Sequence, residues 1–188
     1  MSTAISMPDF LTVDAFLAWN VPIGCAWQLV DGTPQAVVPA SLVHGVIQAK
    51  LAALIDNHLT ARNSGCFVAT EPGVVPRVQS DINMRVPDLA VTCSPGLPGD
   101  RALRDPILII EILSPSNRAE TWMNVWSYTT IPRVQEILVL HSDKIGAELP
   151  RRGTDGVWPE RPLAVEDGDL TLVSIDYVGP IAAFYRNT

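Results

Sequence analysis

Arg85-Val86-Pro87-Asp88-Leu89-Ala90-Val91, followed by Pro106-Ile107-Leu108-Ile109-Ile110-Glu111-Ile112-Leu113-Ser114-Pro115, decides how this chain reads. The second run is β-branched, bounded by prolines and too short for a typical helix, which predicts a central strand buried on both faces. The first predicts a strand over Arg85 to Cys93, with Pro87 at its beginning because proline cannot donate to a ladder. Glu111 is the informative residue. A carboxylate within an apolar strand cannot stay ionised in a dry interior, where desolvation costs at least several kcal/mol. It must pair with a cation, lie at a wet sheet end, or hold a metal. Asp88 alone reads equally well as a turn-capping aspartate after proline. If the two strands pair, however, both carboxylates converge and repel each other unless a cation intervenes. A hard divalent ion, Mg²⁺ or in its place Mn²⁺, suits one or two carboxylates plus waters.

Outward from this pair, Asn117 to Thr130 predicts a helix with Asn117 as its cap. Glu120, Asn124 and Tyr128 stand four apart and share one face. Glu120 also completes a capping box with Asn117, and Asn124 with Tyr128 also forms an ordinary half-exposed stripe. Glu136 to Leu140 reads as a further buried strand. Upstream, Ser41 to Leu59 has Val43, Val46, Ile47, Leu51, Leu54 and Ile55 at helical spacing, with His44, Gln48 and Ala52 on another line. His44 and His58 read as interfacial polar residues rather than ligands. Thr12 caps a short helix through Trp19; Ala26 to Val30, the Asp31-Gly32 turn and Gln35 to Val38 form a hairpin; Cys66 to Thr70 forms another strand. The order predicts an α/β (α+β) fold with a central mixed sheet flanked by helices. Residues 1–188 read as one domain: an N-terminal helix and hairpin (1–40), a core (41–142) and a C-terminal β extension (143–188).

Composition narrows the function classes. With 47% hydrophobic and 18% charged residues, disorder is excluded over most of the chain. No apolar run approaches the roughly 20 residues of a bilayer span, and no secretory signal opens the sequence, so a cytoplasmic protein without a membrane is expected. Cys25, Cys66 and Cys93 are odd in number and lack C-x-x-C spacing, which predicts reduced, mostly buried thiols. Thirteen Lys plus Arg stand against 20 Asp plus Glu, a net charge of −7 that opposes binding to a polyanion. A nucleic-acid partner would need a local basic face built from arginines such as Arg77, Arg85, Arg101, Arg104 and Arg118. There is no Gly-rich phosphate loop and no G-x-S-x-G, and His44, His58 and His141 lack zinc-site spacing. Trp122 and Trp126 read as core rather than as base-stacking platforms.

The segment Arg85-Val86-Pro87-Asp88 with Ile109-Ile110-Glu111-Ile112-Leu113-Ser114-Pro115-Ser116 resembles the Uma-two family, a bacterial branch of the PD-(D/E)XK nuclease superfamily named for restriction endonucleases. The likeness extends from Trp27 to Gly32 through His44, Tyr128 to Pro132, Glu136 and Gly168 to Leu172, ending at Phe184-Tyr185. It implies a restriction-endonuclease-like core and Mg²⁺-dependent hydrolysis of DNA phosphodiesters. By the same likeness Asp88 and Glu111 would be the metal ligands and catalytic carboxylates. Glu120, Asn124 and Tyr128 would be the supporting catalytic residues. A homodimer would follow if duplex cleavage uses two sites related by a two-fold axis. The chain departs from the pattern where the superfamily's lysine would stand, at Leu113. The family's alternative lysine on the next helix is Asn124, and its glutamate before the Asp-Gly turn is Gln28. An amide orients water but brings no charge. Those departures favour the alternative expectation, a catalytically degenerate nuclease-fold domain that serves in binding or assembly.

Overall fold

The computed structural model describes residues 8–20, 26–37 and 40–186. A short helix α1 (Val13–Ala18) is capped by the Thr12 hydroxyl, which accepts from the Ala15 amide. Strands β1 (Trp27–Val30) and β2 (Thr33–Ala36) form the expected hairpin. Both turn residues have positive φ, 48° at Asp31 and 81° at Gly32, the backbone that an Asp-Gly turn supplies. Gly32 is fixed a second way, since a Cβ there would meet the Phe10 ring at 2.2 Å.

Six strands build the main sheet: β3 (Phe67–Thr70), β4 (Leu89–Thr92), β5 (Pro106–Leu113), β6 (Glu136–His141), β7 (Ala147–Leu149) and β8 (Leu163–Val165). They lie in sequence order and all neighbours are antiparallel except β5 and β6. That parallel pair requires a crossover, which helix α3 (Arg118–Tyr128) provides. Alternation along β5 divides the core. Leu108, Ile110 and Ile112 face helix α2 (Leu42–Ala61), packing with Ile47, Leu51, Ile55 and Leu59. Ile109 and Leu113 face the opposite way, toward Val125 and Tyr128 of α3. Glu111 stands between Ile109 and Leu113, so the period of two places it on the α3 face.

Several expectations are corrected. The strand predicted over Arg85 to Cys93 is regular only over Leu89–Thr92; Pro87 interrupts it, and Arg85 makes a separate bridge to Val74. The C-terminal extension divides in two. Strands β7 and β8 widen the main sheet, whereas β9 (Asp169–Leu172) and β10 (Tyr177–Pro180) form their own two-stranded ribbon. Leu170, Leu172, Tyr177 and Phe184 cover the α2 side of the core. Asn117 occupies the cap position of α3, but its side chain accepts from the Ser114 amide and hydroxyl instead, at 3.0 and 2.8 Å. No capping box forms, which frees Glu120. Val38, in the predicted return strand, lies outside the described residues. Among the described residues no helix is long and apolar enough to cross a membrane.

The cysteines depart furthest from expectation. Cys66 and Cys93 are disulfide-bonded rather than reduced and buried, and Cys93 is exposed. The cause is register: Phe67 pairs with Thr92, so the next step outward sets Cys66 opposite Cys93. Cys25 lies outside the described residues. The bond closes a loop of sequence separation 27, for which chain entropy gives about 3.5 kcal/mol of stabilisation. Reduction, or Cys66→Ser, is therefore expected to lower the melting temperature by roughly 7–14 °C. An unchanged melting curve under reductant would show that the crosslink contributes nothing.

Candidate active site

Asp88 sits one step beyond the last paired residues of β4 and β5, Leu89 and Ile110, so continuing that register sets it opposite Glu111. Its carboxylate is held from two sides. Oδ2 accepts from the Ile112 amide at 2.6 Å, and Oδ1 meets His44 Nε2 at 2.8 Å. One turn along α2, Gln48 donates to the Asp88 carbonyl at 3.1 Å. The line of His44 and Gln48 visible in the sequence thus clamps Asp88 through both its side chain and its backbone. His44 is a site residue that sequence reasoning places in an ordinary interface.

Glu111 is buried, and Tyr128, itself inaccessible, donates its hydroxyl to Oε1 at 2.8 Å. Burial above all, then the neighbouring Asp88 carboxylate, holds the Glu111 carboxyl well above its ordinary range; the Tyr128 hydroxyl and the Asp88 amide oppose the rise. Burial and Glu111 likewise push the Tyr128 phenol well up. No basic side chain is bonded to Glu111 among the described residues, so the structural ion pair considered for it is not formed.

The remaining candidates divide. Glu120 is exposed and accepts from Gln28 Nε2 at 3.3 Å, which links α3 to the N-terminal hairpin. Asn124 is half-buried, and no hydrogen bond of its side chain is formed within the described residues. Its carbonyl accepts from Ser127 Oγ at 2.7 Å. Arg118, which the sequence offers as a substitute cation, turns away to Glu148 on β7 at 3.1 Å. Glu148 pairs with Val139, which pairs with Glu111, so Arg118 serves a carboxylate two strands off. Three of the five arginines named for a basic face are engaged elsewhere: Arg118 as above, Arg85, which is buried, and Arg104, which pairs with Asp100 at 2.8 Å. Trp126 is not core either, being 49% exposed, with its ring 6.1 Å from that of half-buried Trp122.

Residues 13–175 match a family described as "Uma2: Putative restriction endonuclease". The chain belongs to the Uma2 family. A solved structure, the crystal structure of a putative nuclease belonging to DUF820 from Anabaena variabilis, superposes on this Uma2 chain with a TM-score of 0.74. At 18% identity it covers 93% of this chain and 97% of its own, which establishes a shared fold. No curated protein matches the chain.

A divalent cation is the group such a family implies, and the residues of this Uma2 site fit one in charge and donor type. Two carboxylates lie side by side, Asp88 raising the cost of ionising Glu111, and among the described residues no basic side chain is bonded to Glu111. Hard cations take oxygen donors of this kind. The set is small: among the described residues no group of three or more His, Cys, Asp or Glu gathers into a ready cage. Water and substrate oxygens would have to complete the shell, as is usual for Mg²⁺.

Two surface grooves flank the pair without including it. One of about 550 Å³ is lined by Leu113, Arg118, His141, Lys144, Glu148 and Arg161 among others. The second, about 440 Å³, lies between β3 and the segment following β4, beside Glu71, Arg101 and Arg104.

Proposed function

We propose that this Uma2 domain is a divalent-metal-dependent nuclease acting on DNA, with Asp88 and Glu111 as the metal-holding carboxylates. The observation that carries this reading is the pairing of a buried, cation-free Glu111 with an Asp88 fixed by an amide and an imidazole. Mg²⁺ or Mn²⁺ bound there would polarise the scissile phosphate and lower the pKa of a water toward neutrality. The protein's part is positioning. Tyr128 fixes the Glu111 carboxyl by its hydroxyl, His44 and the Ile112 amide fix both oxygens of Asp88, and Gln48 steadies the backbone beneath them. Glu120 and Asn124 belong to the rim of the site, where Gln28 orients Glu120. The groove reached past Leu113 has Lys144 and Arg161 on its wall, cations for a phosphate backbone entering from that side, while Arg118 there is paired with Glu148.

Mn²⁺ titration by calorimetry tests the metal site. Wild type is expected to bind, and Asp88→Ala to bind at least about tenfold more weakly, since one of two charged oxygen ligands is gone. Equal, negligible heats for both proteins would rule the metal out.

A second reading, a nuclease-fold domain that binds or assembles without cleaving, is favoured by the net charge of −7 and by Leu113 and Asn124. Supercoiled plasmid incubated with Mg²⁺ or Mn²⁺ separates the two readings. Nicking that tracks enzyme concentration supports the nuclease, and intact plasmid at high protein concentration supports the binding module. We place the domain in the cytoplasm, where the Cys66–Cys93 bond would be open to reduction, and infer a homodimer, the arrangement that would let two such sites address both strands of a duplex. Equilibrium sedimentation reads that assembly directly.

A further inference from the structure

Cys66 and Cys93 join the outer end of β3 to β4; Cys93 is exposed, whereas Cys66 is half-buried against the α2 side of the core. The bond closes a ring of chain from residue 66 to residue 93. Asp88 lies inside that ring, and His44, Glu111 and Tyr128 lie outside it. Little else holds β3. It is a four-residue edge strand paired with β4, and its side chains are exposed or half-buried throughout. Its far end reaches the site: the amide of Glu71, the next residue, donates to the Asp88 carbonyl at 3.0 Å. The same carbonyl accepts from Gln48 of α2 at 3.1 Å, so the backbone at Asp88 is held once by the helix and once by this strand. Short edge strands with few buried contacts open at low free-energy cost. A crosslink that closes a ring around such a strand opposes the opening.

We propose that Cys66–Cys93 is a thiol–disulfide exchange site for a dithiol reductant, and that opening the ring loosens the hold on Asp88. A thiolate of the reductant attacks the exposed Cys93 sulfur, and the S–S electron pair departs with the Cys66 sulfur, which takes up a proton. The reductant's second thiol gives up its proton, attacks its own partner sulfur in the mixed disulfide and releases Cys93. Two electrons pass to the protein, which gains two thiols, and the dithiol leaves as a disulfide. With the ring open, β3 frays from the Cys66 end and the Glu71 amide releases the Asp88 carbonyl. Gln48, His44 and the Ile112 amide still hold Asp88, and Glu111 keeps its bond to Tyr128. The oxidised chain is thus the state with the tighter site. The effect on metal affinity rests on the nuclease reading above; the exchange chemistry and the fraying do not.

Dithiothreitol is the probe, applied to the folded full chain. Alkylation and peptide mass spectrometry read Cys66 and Cys93 separately from Cys25, and both are expected to be labelled while the protein stays folded. Amide hydrogen exchange over Phe67 to Glu71 is then expected to run about tenfold faster or more in the reduced chain. The β6 amides should stay protected over the same period, and glutathione disulfide should restore the slower rate. Mn²⁺ should bind the reduced chain about threefold to tenfold more weakly, because fraying depletes the binding-competent state. Cys66→Ser should match the reduced chain in both readings and ignore the reagent; Cys93→Ser replaces it if that variant does not fold. A bond that resists dithiothreitol in the folded chain, or equal exchange at Glu71 in the two states, would overturn the proposal. So would unfolding of the whole chain on reduction, which would make the bond a structural staple. Measurable but equal Mn²⁺ affinity in the two states would overturn the link to Asp88. Should Mn²⁺ bind neither state, the nuclease reading fails, while exchange at Glu71 still decides whether the ring holds Asp88.

Discussion

Glu111→Gln is expected to lower Mn²⁺-dependent nicking by about a thousandfold or more while leaving the protein folded, with a melting temperature equal to or above that of wild type. The two halves of the expectation come from the same geometry. An amide is a poor ligand for a hard cation, and losing several kcal/mol of charge stabilisation amounts to decades of rate. The fold, by contrast, gains. The carbonyl of the introduced amide still accepts from the Tyr128 hydroxyl, and its NH₂ can donate to Asp88, where two carboxylates now repel. A residue kept for activity against the interest of stability shows this signature. Plasmid nicking and thermal unfolding of one preparation check both halves. A variant that unfolds, or one that nicks as wild type does, would make Glu111 a structural residue.

Glu136→Ala should do the reverse: a loss of about 3 kcal/mol in folding stability with the active pair unaffected. Glu136 is wholly buried at the start of β6. One oxygen accepts from Arg151 Nε at 2.6 Å and from the Val173 amide at 3.2 Å, and the other accepts from the Ser174 amide at 2.8 Å. Removing the carboxylate strands two backbone donors at about 1–3 kcal/mol each. Arg151 is a third exposed and can regain water, so its share is discounted. In register Glu136 lies beside Leu108, at the opposite end of β5 from Glu111, which is why turnover should survive. Urea unfolding reads the effect as a lower midpoint at constant slope. A change below about 1 kcal/mol would mean that the bonds are replaced by solvent.

The two fates of these glutamates show what a sequence can carry. The β5 strand is legible because both of its faces are buried, leaving a continuous apolar run in which a single carboxylate stands out. Glu136 opens a similar run, yet nothing local says that Arg151 and the turn at Val173 will fold over it. Glu111, Asp88 and Tyr128 do meet, since strand pairing and helical spacing act over short, regular distances. His44 escapes a sequence reading although its line with Gln48 is visible: the line is a property of the helix, whereas its target is a property of packing. Arg85 reads as one member of a scattered basic face, and its burial depends on a hairpin more than 50 residues away in sequence. The disulfide is a matter of strand register, which cysteine spacing does not encode. Asn117 loses its capping role to a competing bond with Ser114, a choice between two local partners that composition alone leaves even.

Because β5 and β6 run parallel, the polypeptide between them has to travel the length of the sheet, and α3 is that passage. The same segment ends in Tyr128, against Glu111. The link that completes the sheet and the wall that encloses the carboxyl are therefore one piece of chain, with no slack between them. Lengthening this passage by even a residue rotates Tyr128 about 100° around the helix axis and takes its hydroxyl off the acid. The exposed turn at Glu166 to Gly168, which joins β8 of the main sheet to β9 of the separate ribbon, carries no such duty. Natural variants of this domain should accordingly vary freely in length at that turn and hardly at all between Ser114 and Tyr128.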